Sequence, residues 1–168
     1  MKKNIMVNSL TKSNILALDM AEKTGVYSAA FRGVWKFPPT GKQPKYMGDD
    51  YQRETYFIDK VCDFIKENEI ELVIAEDLLW LDRSYFANKQ LSFYHWGLIL
   101  ACQKCGIREP IFVKPSNLKF FATHNSYATK EQMIEAAKKR WHINPVDDNE
   151  ADAAHLYFYA VNRFCINN

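Results

Sequence analysis

The sequence contains no apolar run that approaches the roughly 18 residues of a membrane-spanning helix. Its start, Met1-Lys2-Lys3, is followed by polar residues rather than by the apolar centre of a signal peptide. Its four cysteines include one close pair, Cys102 and Cys105, but no second pair and no paired histidines that would complete a zinc site. These absences predict a cytoplasmic protein with reduced, buried thiols and no membrane partner.

A strong excess of either charge is also missing. Lysine and arginine total 22 against 20 acidic residues, and a net charge of +2 neither demands nor excludes a polyanionic partner. Hydrophobic residues make up 48% of the 168 positions, which is enough for one buried core. No internal repeat divides the chain. We therefore expect a flexible polar segment over residues 1–13 and a single domain over residues 14–168.

The apolar pattern predicts an alternation of strands and helices. Five segments have the composition of β-strands, at residues 15–18, 26–31, 34–37, 72–75 and 111–113. Arg32-Gly33 predicts a tight turn between the second and third strands. Helical spacing of apolar residues predicts helices at residues 51–68, 88–104, 129–142 and 148–164. The order predicts an α/β fold, a mixed five-stranded sheet with helices on both faces.

Two of the predicted helices carry a further signal. Thr129 and Gln132 have the spacing of a capping box, which marks the start of the third helix. The second helix, residues 88–104, is apolar around nearly its whole circumference. Such a helix either lies at the centre of a domain or is covered by a partner subunit.

Acidic residues stand where these elements end or begin. Asp19 follows the first buried strand and Glu76 follows the second, and adjacent parallel strands would bring the two together. Asp148 and Asp152 lie four residues apart in the last helix and therefore share one helical face. Each carboxylate alone is equally well explained as a turn or helix cap. Their combination favours a common site.

A common site of carboxylates has a chemical consequence. Clustered carboxylates repel one another and raise each other's pKa unless cations lie between them. Hard divalent ions that prefer oxygen ligands, Mg²⁺ or Mn²⁺, are the matching occupants. Two such ions about 3.5 to 4 Å apart can activate a water and clamp a scissile phosphate. The pattern indicates metal-dependent phosphodiester hydrolysis without a cysteine or histidine nucleophile.

Motifs that span nearly the whole chain also indicate metal-dependent phosphodiester hydrolysis. They are Ile15-Leu16-Ala17-Leu18-Asp19 with Thr24-Gly25, Leu72-Val73-Ile74-Ala75-Glu76, Val113-Lys114-Pro115-Ser116, Ala128-Thr129-Lys130-Glu131-Gln132-Met133 and Asp148-Asn149-Glu150-Ala151-Asp152-Ala153. In these stretches and their order, the sequence resembles the RuvC-type Holliday junction resolvases, and more closely their phage and mobile-element relatives. The sequence departs from the family in the short link between Asp19 and Thr24 and in Asn149, which stands where the family has an aspartate. Whether Asp148 or Asn149 completes the site is left open.

The resemblance implies a fold, an activity and an assembly. The fold would be RNase H-like, and the protein would be a homodimer in a bacterial or phage-infected cell, acting in DNA recombination or repair. Each subunit would nick one strand of a four-way DNA junction with two Mg²⁺ ions, for which Mn²⁺ can substitute. The products would carry 5′-phosphate and 3′-hydroxyl ends. The catalytic metal ligands would be Asp19, Glu76, Asp148 and Asp152.

The resemblance also suggests contacts to the DNA backbone. Lys114 and Lys130 match family lysines that approach the backbone, although a lysine at a helix start is commonly just solvated. Thr129, at a helix N-terminus, could add amide donors to a phosphate. The other lysines and the arginine of this region are expected to form only a general basic face, or no site at all: Lys119, Lys138, Lys139 and Arg140.

Aromatic residues and one histidine complete the candidates. Trp80, Tyr85 and Phe86 follow Glu76, and the resemblance makes them candidates to stack on bases at the junction centre. Aromatics at this spacing are also common in cores. His155 lies three residues after Asp152, where it could bind metal or serve as hydrogen-bonded packing.

Three functions fit these patterns. The first is a structure-selective, metal-dependent DNA endonuclease that resolves four-way junctions by paired symmetric nicks. The second is an RNase H-like nuclease that acts on RNA–DNA hybrids or flaps. The third is a catalytically inactive nucleic-acid-binding module of the same fold.

Overall fold

The computed structural model describes residues 10–37, 50–77 and 85–165, and for residues 50–54, 85–87, 89 and 90 it describes the backbone alone. The strands are β1 (Ile15–Asp19), β2 (Lys23–Tyr27), β3 (Arg32–Lys36), β4 (Leu72–Glu76) and β5 (Ile111–Val113). The helices are α1 (Asp50–Glu67), α2 (Tyr85–Lys104), α3 (Pro115–Thr123), α4 (Lys130–Trp141) and α5 (Asp148–Phe164).

The five strands form one mixed sheet in the order β3-β2-β1-β4-β5. The first three strands pair antiparallel, β1 with β2 and β2 with β3. The parallel pairs are β1 with β4 and β4 with β5. The predicted meander and mixed sheet are thus confirmed. Parallel strands with helices on both sides are buried on both faces, which explains why β1 and β4 read as continuous apolar runs.

Alternate residues of β1 divide the core into two layers. Ile15 and Ala17 pack with the buried residues of α3, α4 and α5 on one face. Leu16 and Leu18 pack with those of α1 and α2 on the other. All four side chains have no exposed surface. Helices on both faces of the sheet were predicted, and the structure has them.

The turn between β2 and β3 lies earlier than predicted. Ser28 follows β2, and its hydroxyl accepts hydrogen bonds from the backbone N–H of Ala30 at 3.2 Å and of Phe31 at 2.9 Å. A serine that captures backbone donors in this way makes a turn by itself. Gly33 lies inside β3, opposite Val26, where its φ of 146° suits glycine. The prediction of a turn at Arg32-Gly33 was wrong because the serine turn was not recognised.

Helix α3 is an element that the sequence patterns did not predict. Pro115 stands in its first turn, where the missing N–H costs nothing. Lys114 precedes it with extended backbone, as a residue before proline prefers. The helix has nine residues and buries only Leu118 and Ala122, so its apolar periodicity is too short to stand out.

The N-terminal part of the chain enters the core before β1. Residues 1–9 of the segment expected to be flexible lie outside the described residues. Leu10 packs against the core of the α5 face. The Tyr157 hydroxyl donates a 2.9 Å hydrogen bond to the carbonyl of Lys12. Of the helices that the structure describes, none has the length and apolar character needed to cross a membrane.

Three thiols lie together between α1 and α2. Cys62 and Cys102 are buried, and Cys105 is partly buried. Burial raises the pKa of Cys62 to about 11 and that of Cys102 to about 12. Both therefore stay protonated at neutral pH and act as small hydrophobic side chains, as expected from the absence of zinc-site spacing.

Candidate metal and nucleic-acid site

The pairing of β1 with β4 places Asp19 beside Glu76. Leu18 is opposite Ala75 in the parallel register, so the next residue of each strand is the acidic one. Neighbouring strands lie about 4.8 Å apart, which brings the two backbone positions together. By strand alternation both side chains lie on the face that α5 covers. The sequence prediction that adjacent parallel strands bring these two acids together is confirmed.

The first turn of α5 is held against the sheet at Gly25. Gly25 pairs with Asp19 across β1 and β2. A Cβ atom at Gly25 would stand 1.9 Å from the carbonyl oxygen of Asn149 and 2.3 Å from its carbonyl carbon. Only a residue without a side chain allows this approach of helix and strand. Gly25 therefore lets α5 begin next to Asp19.

The start of α5 is fixed by its own acidic residues. Asp147 is the N-cap and accepts a 3.0 Å hydrogen bond from the backbone N–H of Glu150. The Glu150 carboxylate, which is only 5% exposed, accepts from the backbone N–H of Val146 at 2.8 Å. These bonds satisfy free amides at the helix start and set its orientation. Asp148 and Asp152, one turn apart, then share the face that meets Asp19.

Four carboxylates lie near enough to one another for their charges to interact. Burial raises the pKa of Asp19 well above its usual value, and the charges of Glu76, Asp152 and Asp148 raise it further. Burial, followed by the charges of Glu76 and Asp148, raises the pKa of Asp152 to about 7. Side chains from β1, β4 and α5 thus repel one another. The structure thus brings these acidic residues near one another, while their role as metal ligands stays a prediction.

The donor set fits a hard cation, although the side chains do not yet enclose one. The Oδ1 atom of Asp152 is buried and has no hydrogen-bond partner among the described residues. An unpaired buried carboxylate oxygen is costly, and a metal ion would satisfy it. Within residues 10–37, 50–77 and 85–165, no three histidine, cysteine, aspartate or glutamate side chains lie close enough to hold an ion as they stand. Like charges keep such carboxylates apart, and a divalent cation would draw them together.

Asp148 and Asn149 are placed differently, which bears on the alternative that the sequence left open. The Asp148 carboxylate pairs with the Lys130 ammonium, and this hydrogen bond lowers the pKa of Asp148. The charge of Asp148 nevertheless reaches Asp19 and Asp152 and raises their pKa. Asn149 carries no charge, and its backbone carbonyl lies against Gly25. The arrangement therefore favours Asp148 as the further acidic group of the pocket.

The charge of Lys119 acts on the acidic residues, which the sequence patterns did not predict. Its charge lowers the pKa of Asp152, as the charge of Lys130 does for both Asp19 and Asp152. Lys119 had been assigned to a general basic face because α3, which carries it, was not recognised. Lys114, favoured instead, is exposed at the start of α3. It lines a groove of about 530 Å³ beside β5.

Arg140, also assigned to that basic face, has a structural role. Its guanidinium donates to the carbonyl of Ala122 at 2.9 Å and to that of Phe121 at the end of α3. It also lies over the rings of Phe121 and Trp141. These contacts cap α3 and join it to α4.

The remaining DNA-binding candidates lie in α4, in α2 and outside the described residues. Thr129 caps α4, and its hydroxyl accepts a 3.3 Å hydrogen bond from the backbone N–H of Gln132. The predicted capping box is therefore confirmed. The contact of Thr129 with DNA stays a prediction. Trp80 lies outside the described residues. Tyr85 and Phe86 begin α2, but their side chains also lie outside the described part.

His155 does not meet the expectation that it could bind metal. Its Nδ1 accepts a 2.9 Å hydrogen bond from the indole N–H of Trp141. Its Nε2 lies 2.9 Å from the carbonyl oxygen of Met133 and donates to it. The ring is fully buried, and burial lowers its pKa, which keeps it neutral. With both nitrogens occupied, His155 joins α5 to α4 and has no lone pair left for an ion.

Substituting Gly25 by alanine is expected to displace the start of α5 and with it Asp148. The new Cβ would overlap backbone atoms of Asn149, which cannot rotate away. We expect a loss of about 3 kcal/mol or more in the free energy of unfolding. A displacement of about 1 Å at the site would also lower any hydrolytic activity about a hundredfold. Urea denaturation and an activity assay on the same preparation check both effects.

Gly106→Ala is the matched control for that substitution. Gly106 has a φ of 74°, so alanine is strained there, but no atom lies within 4 Å of the added Cβ. It should lower stability and leave activity intact. Equal activity in the Gly25→Ala and Gly106→Ala proteins would contradict the positioning role of Gly25.

Comparisons with known proteins bear on the fold. No protein-family model and no curated protein sequence matches the chain. Among solved structures, the chain is similar to Thermus thermophilus RuvC, at 16% identity and a TM-score of 0.65 over 89% of this chain and 95% of that one. It is similar to T. thermophilus RuvC in complex with a Holliday junction substrate, at 16% identity and a TM-score of 0.63, over 87% and 93%. It is also similar to the yeast mitochondrial Holliday junction resolvase Ydc2, at 10% identity and a TM-score of 0.54, over 90% and 78%.

The fold is therefore the RNase H-like fold of RuvC, as the sequence motifs predicted. The likeness extends over most of this chain and nearly all of RuvC. At these identities it is a likeness of fold. Placement in the phage and mobile-element branch stays a prediction.

Proposed function

We propose that the protein is a RuvC-type, metal-dependent endonuclease that cuts four-way DNA junctions. The observation that carries this proposal is the convergence of four carboxylates, from β1, β4 and α5, on one face at the carboxyl ends of two parallel strands. The fold supports it, because RuvC is described with a Holliday junction substrate and Ydc2 as a Holliday junction resolvase. Resolution would consist of paired symmetric nicks that leave 5′-phosphate and 3′-hydroxyl ends.

The proposal includes two Mg²⁺ ions, for which Mn²⁺ can substitute. Asp19 and Asp152 would hold them together with Glu76 and Asp148, since all four offer the hard oxygen donors that these ions prefer. The unpaired Oδ1 of Asp152 is the atom that most needs such a partner. When bound, such ions supply Lewis acidity at the phosphate and lower the pKa of a coordinated water.

Two lysine side chains near the acidic residues would have a different role from the metal ions. Lys130 from α4 and Lys119 from α3 lie where their charges act on the acidic pocket. Lys130 is exposed, with 77% of its side chain accessible, and remains tied to Asp148. We expect both lysines to attract the phosphate backbone toward an otherwise repulsive acidic surface. Lys130 would also hold Asp148 in place for the site.

The experiment that tests the function compares three substrates. Purified protein is incubated with a synthetic four-way junction, a duplex of the same sequence and an RNA–DNA hybrid, with Mg²⁺. Paired nicks in the junction alone support the proposal. Preferred cutting of the hybrid would replace it by an RNase H-like activity on hybrids or flaps. Junction binding without cutting of any substrate would point to an inactive binding module.

We also propose that the protein acts as a homodimer through α2. This helix packs against α1 with Tyr94 and Leu98, which are buried. Its opposite side presents Trp96, 66% exposed, and Leu100, 47% exposed, one turn apart. Large apolar side chains next to each other on a helix surface are typical of a protein interface. Two strands of a junction could then be cut by two sites related by a twofold axis.

Replacing Trp96 or Leu100 by glutamate is expected to produce monomers. A charge at the centre of an apolar interface should weaken self-association about thirtyfold or more. Light scattering at micromolar concentration would report 19.6 kDa instead of twice that mass. Phe120→Glu is the control and should stay dimeric, because Phe120 is 55% exposed on the opposite face of the sheet. A monomeric unsubstituted protein would contradict the dimer but leave the nuclease proposal standing.

A further inference from the structure

One aromatic side chain near the acidic pocket has no structural task. Tyr127 is 90% exposed, more than any other large hydrophobic residue that the structure describes. Among the described residues, its ring contacts no other ring and its hydroxyl has no hydrogen-bond partner. Phe120 nearby is 55% exposed but packs edge-on against His124, with ring centroids 5.9 Å apart. A large side chain that buries nothing does not stabilise the fold.

The backbone that carries Tyr127 is nevertheless well held. The Asn125 side chain accepts a 3.0 Å hydrogen bond from the Tyr127 N–H, which closes an Asx turn. Asn125 is held in turn by the Thr123 hydroxyl, which accepts from the Asn125 N–H at 3.1 Å. The next residue, Ala128, is 1% exposed and anchors the segment in the core. The ring is therefore presented from a fixed position rather than from a loose loop.

Tyr127 lies near Lys130 in the chain. It precedes Lys130 by three residues, a span of at most about 11 Å. The Lys130 ammonium contacts the Asp148 carboxylate in the pocket. Successive nucleotides of a stacked strand are about 3.4 Å apart. A strand with its phosphate in the pocket would thus bring a base a few nucleotides away to the ring of Tyr127.

We propose that Tyr127 stacks on an unpaired base of the DNA strand whose phosphate lies in the acidic pocket. This inference rests on the proposed function and adds a residue that reads the branched character of the DNA. An aromatic ring beside lysines suits this partner, because the lysines neutralise phosphates while the ring accepts any base face. A perfect duplex offers no unstacked base. Tyr127 would therefore favour branched over duplex DNA.

The test measures binding and stacking separately from cleavage. Asp19→Asn protein, with and without changes at Tyr127, is titrated with a four-way junction and with a duplex in Mg²⁺. The junction carries the fluorescent base 2-aminopurine in turn at each of the five positions nearest the branch point. Tyr127→Phe keeps the stacking face, and Tyr127→Leu keeps apolar bulk without it. Tyr56→Ala removes an exposed tyrosine from the opposite face of the sheet as a control.

The expected result has a clear pattern. Tyr127→Ala and Tyr127→Leu bind the junction about tenfold more weakly, whereas Tyr127→Phe stays within about twofold. Quenching of 2-aminopurine at one or two positions is lost with alanine and kept with phenylalanine. Duplex binding is the same for all, and Tyr56→Ala behaves like the unsubstituted background.

Other outcomes overturn the inference in distinguishable ways. Junction binding and quenching by the alanine variant equal to the parent would remove the role of Tyr127 and leave the nuclease proposal intact. An equal loss on duplex would mean a backbone contact instead of stacking. A loss of self-association instead of DNA binding would assign Tyr127 to a protein contact. Absence of DNA binding by the unsubstituted protein would defeat both proposals.

Discussion

Replacing Asp19 by asparagine is expected to slow junction cleavage about a thousandfold or more while junction binding stays within a few-fold. Asp19 lies at the centre of the acidic pocket, where Glu76, Asp152 and Asp148 all raise its pKa. Asparagine keeps the shape but loses the charge that would hold a cation. Several kcal/mol of transition-state stabilisation depend on that cation, which corresponds to the expected factor. Cleavage and gel-shift titration of the same variant measure the two quantities.

The chain offers a matched control next to the site. Asp147→Asn preserves the N-cap of α5, because asparagine caps as well as aspartate, and it should retain cleavage within a few-fold. Glu76→Gln should resemble Asp19→Asn. Asp148→Asn should lose more activity than Asn149→Ala, which tests the choice between those two positions. Cleavage near that of the unsubstituted protein in both Asp19→Asn and Glu76→Gln would remove the proposed mechanism.

The sheet and its acidic strand ends could be predicted because local pattern and tertiary environment agree there. A strand buried on both faces must be apolar throughout, so Ile15–Leu18 could be recognised without knowledge of its neighbours. The following acid, Asp19, marks the point where the strand leaves the core. The same reasoning places Glu76. Parallel pairing then follows from the order of strands and helices, and the structure has the two residues side by side.

The features that the sequence did not predict depend on contacts with residues far away in the sequence. The spacing of His155 from Asp152 does not predict its burial, because its hydrogen-bond partners belong to α4. Lys119 could not be placed without α3, a helix whose few buried residues give no clear period. The close approach at Gly25 likewise becomes visible only when α5 lies on β2. Sequence patterns predicted most of the helices and strands. Which charged groups lie near one another depends on the contacts between these helices and strands.

Removal of Mg²⁺ is expected to make the stability of the protein fall with rising pH, because burial raises the pKa of both Asp19 and Asp152. The pKa of Asp152 is about 7 in the folded protein, against an ordinary value of 3.8. Below pH 3.8 the carboxyl is protonated in both states and costs nothing. Between pH 3.8 and 7 the unfolded chain gives up its proton while the folded protein keeps it, so stability falls. Above pH 7 the loss that comes from Asp152 is complete, at about 4 kcal/mol.

Asp152→Asn should remove the part of this pH dependence that Asp152 contributes and leave the part that comes from Asp19. The neutral amide cannot ionise, so the metal-free variant at pH 8 should be more stable than the metal-free parent. The gain should approach 4 kcal/mol if the buried charge is the main cost. Asp63→Asn, an exposed acid on α1, is the control and should leave the pH dependence unchanged. Urea denaturation of the three proteins at pH 5 and pH 8 in the presence of EDTA gives the six stabilities to be compared.

Adding Mg²⁺ links this stability effect to the proposed activity. A cation bound only to the folded protein stabilises it by about 2.7 kcal/mol when present at a hundred times its dissociation constant. The parent should gain this stability at pH 8, where its carboxylates are ionised, and little at pH 5, where protons compete for Asp152. Asp152→Asn should gain far less at either pH. If the metal-free variant proved less stable than the parent at pH 8, and Mg²⁺ stabilised both equally, the acidic pocket would not be the place where the cation binds.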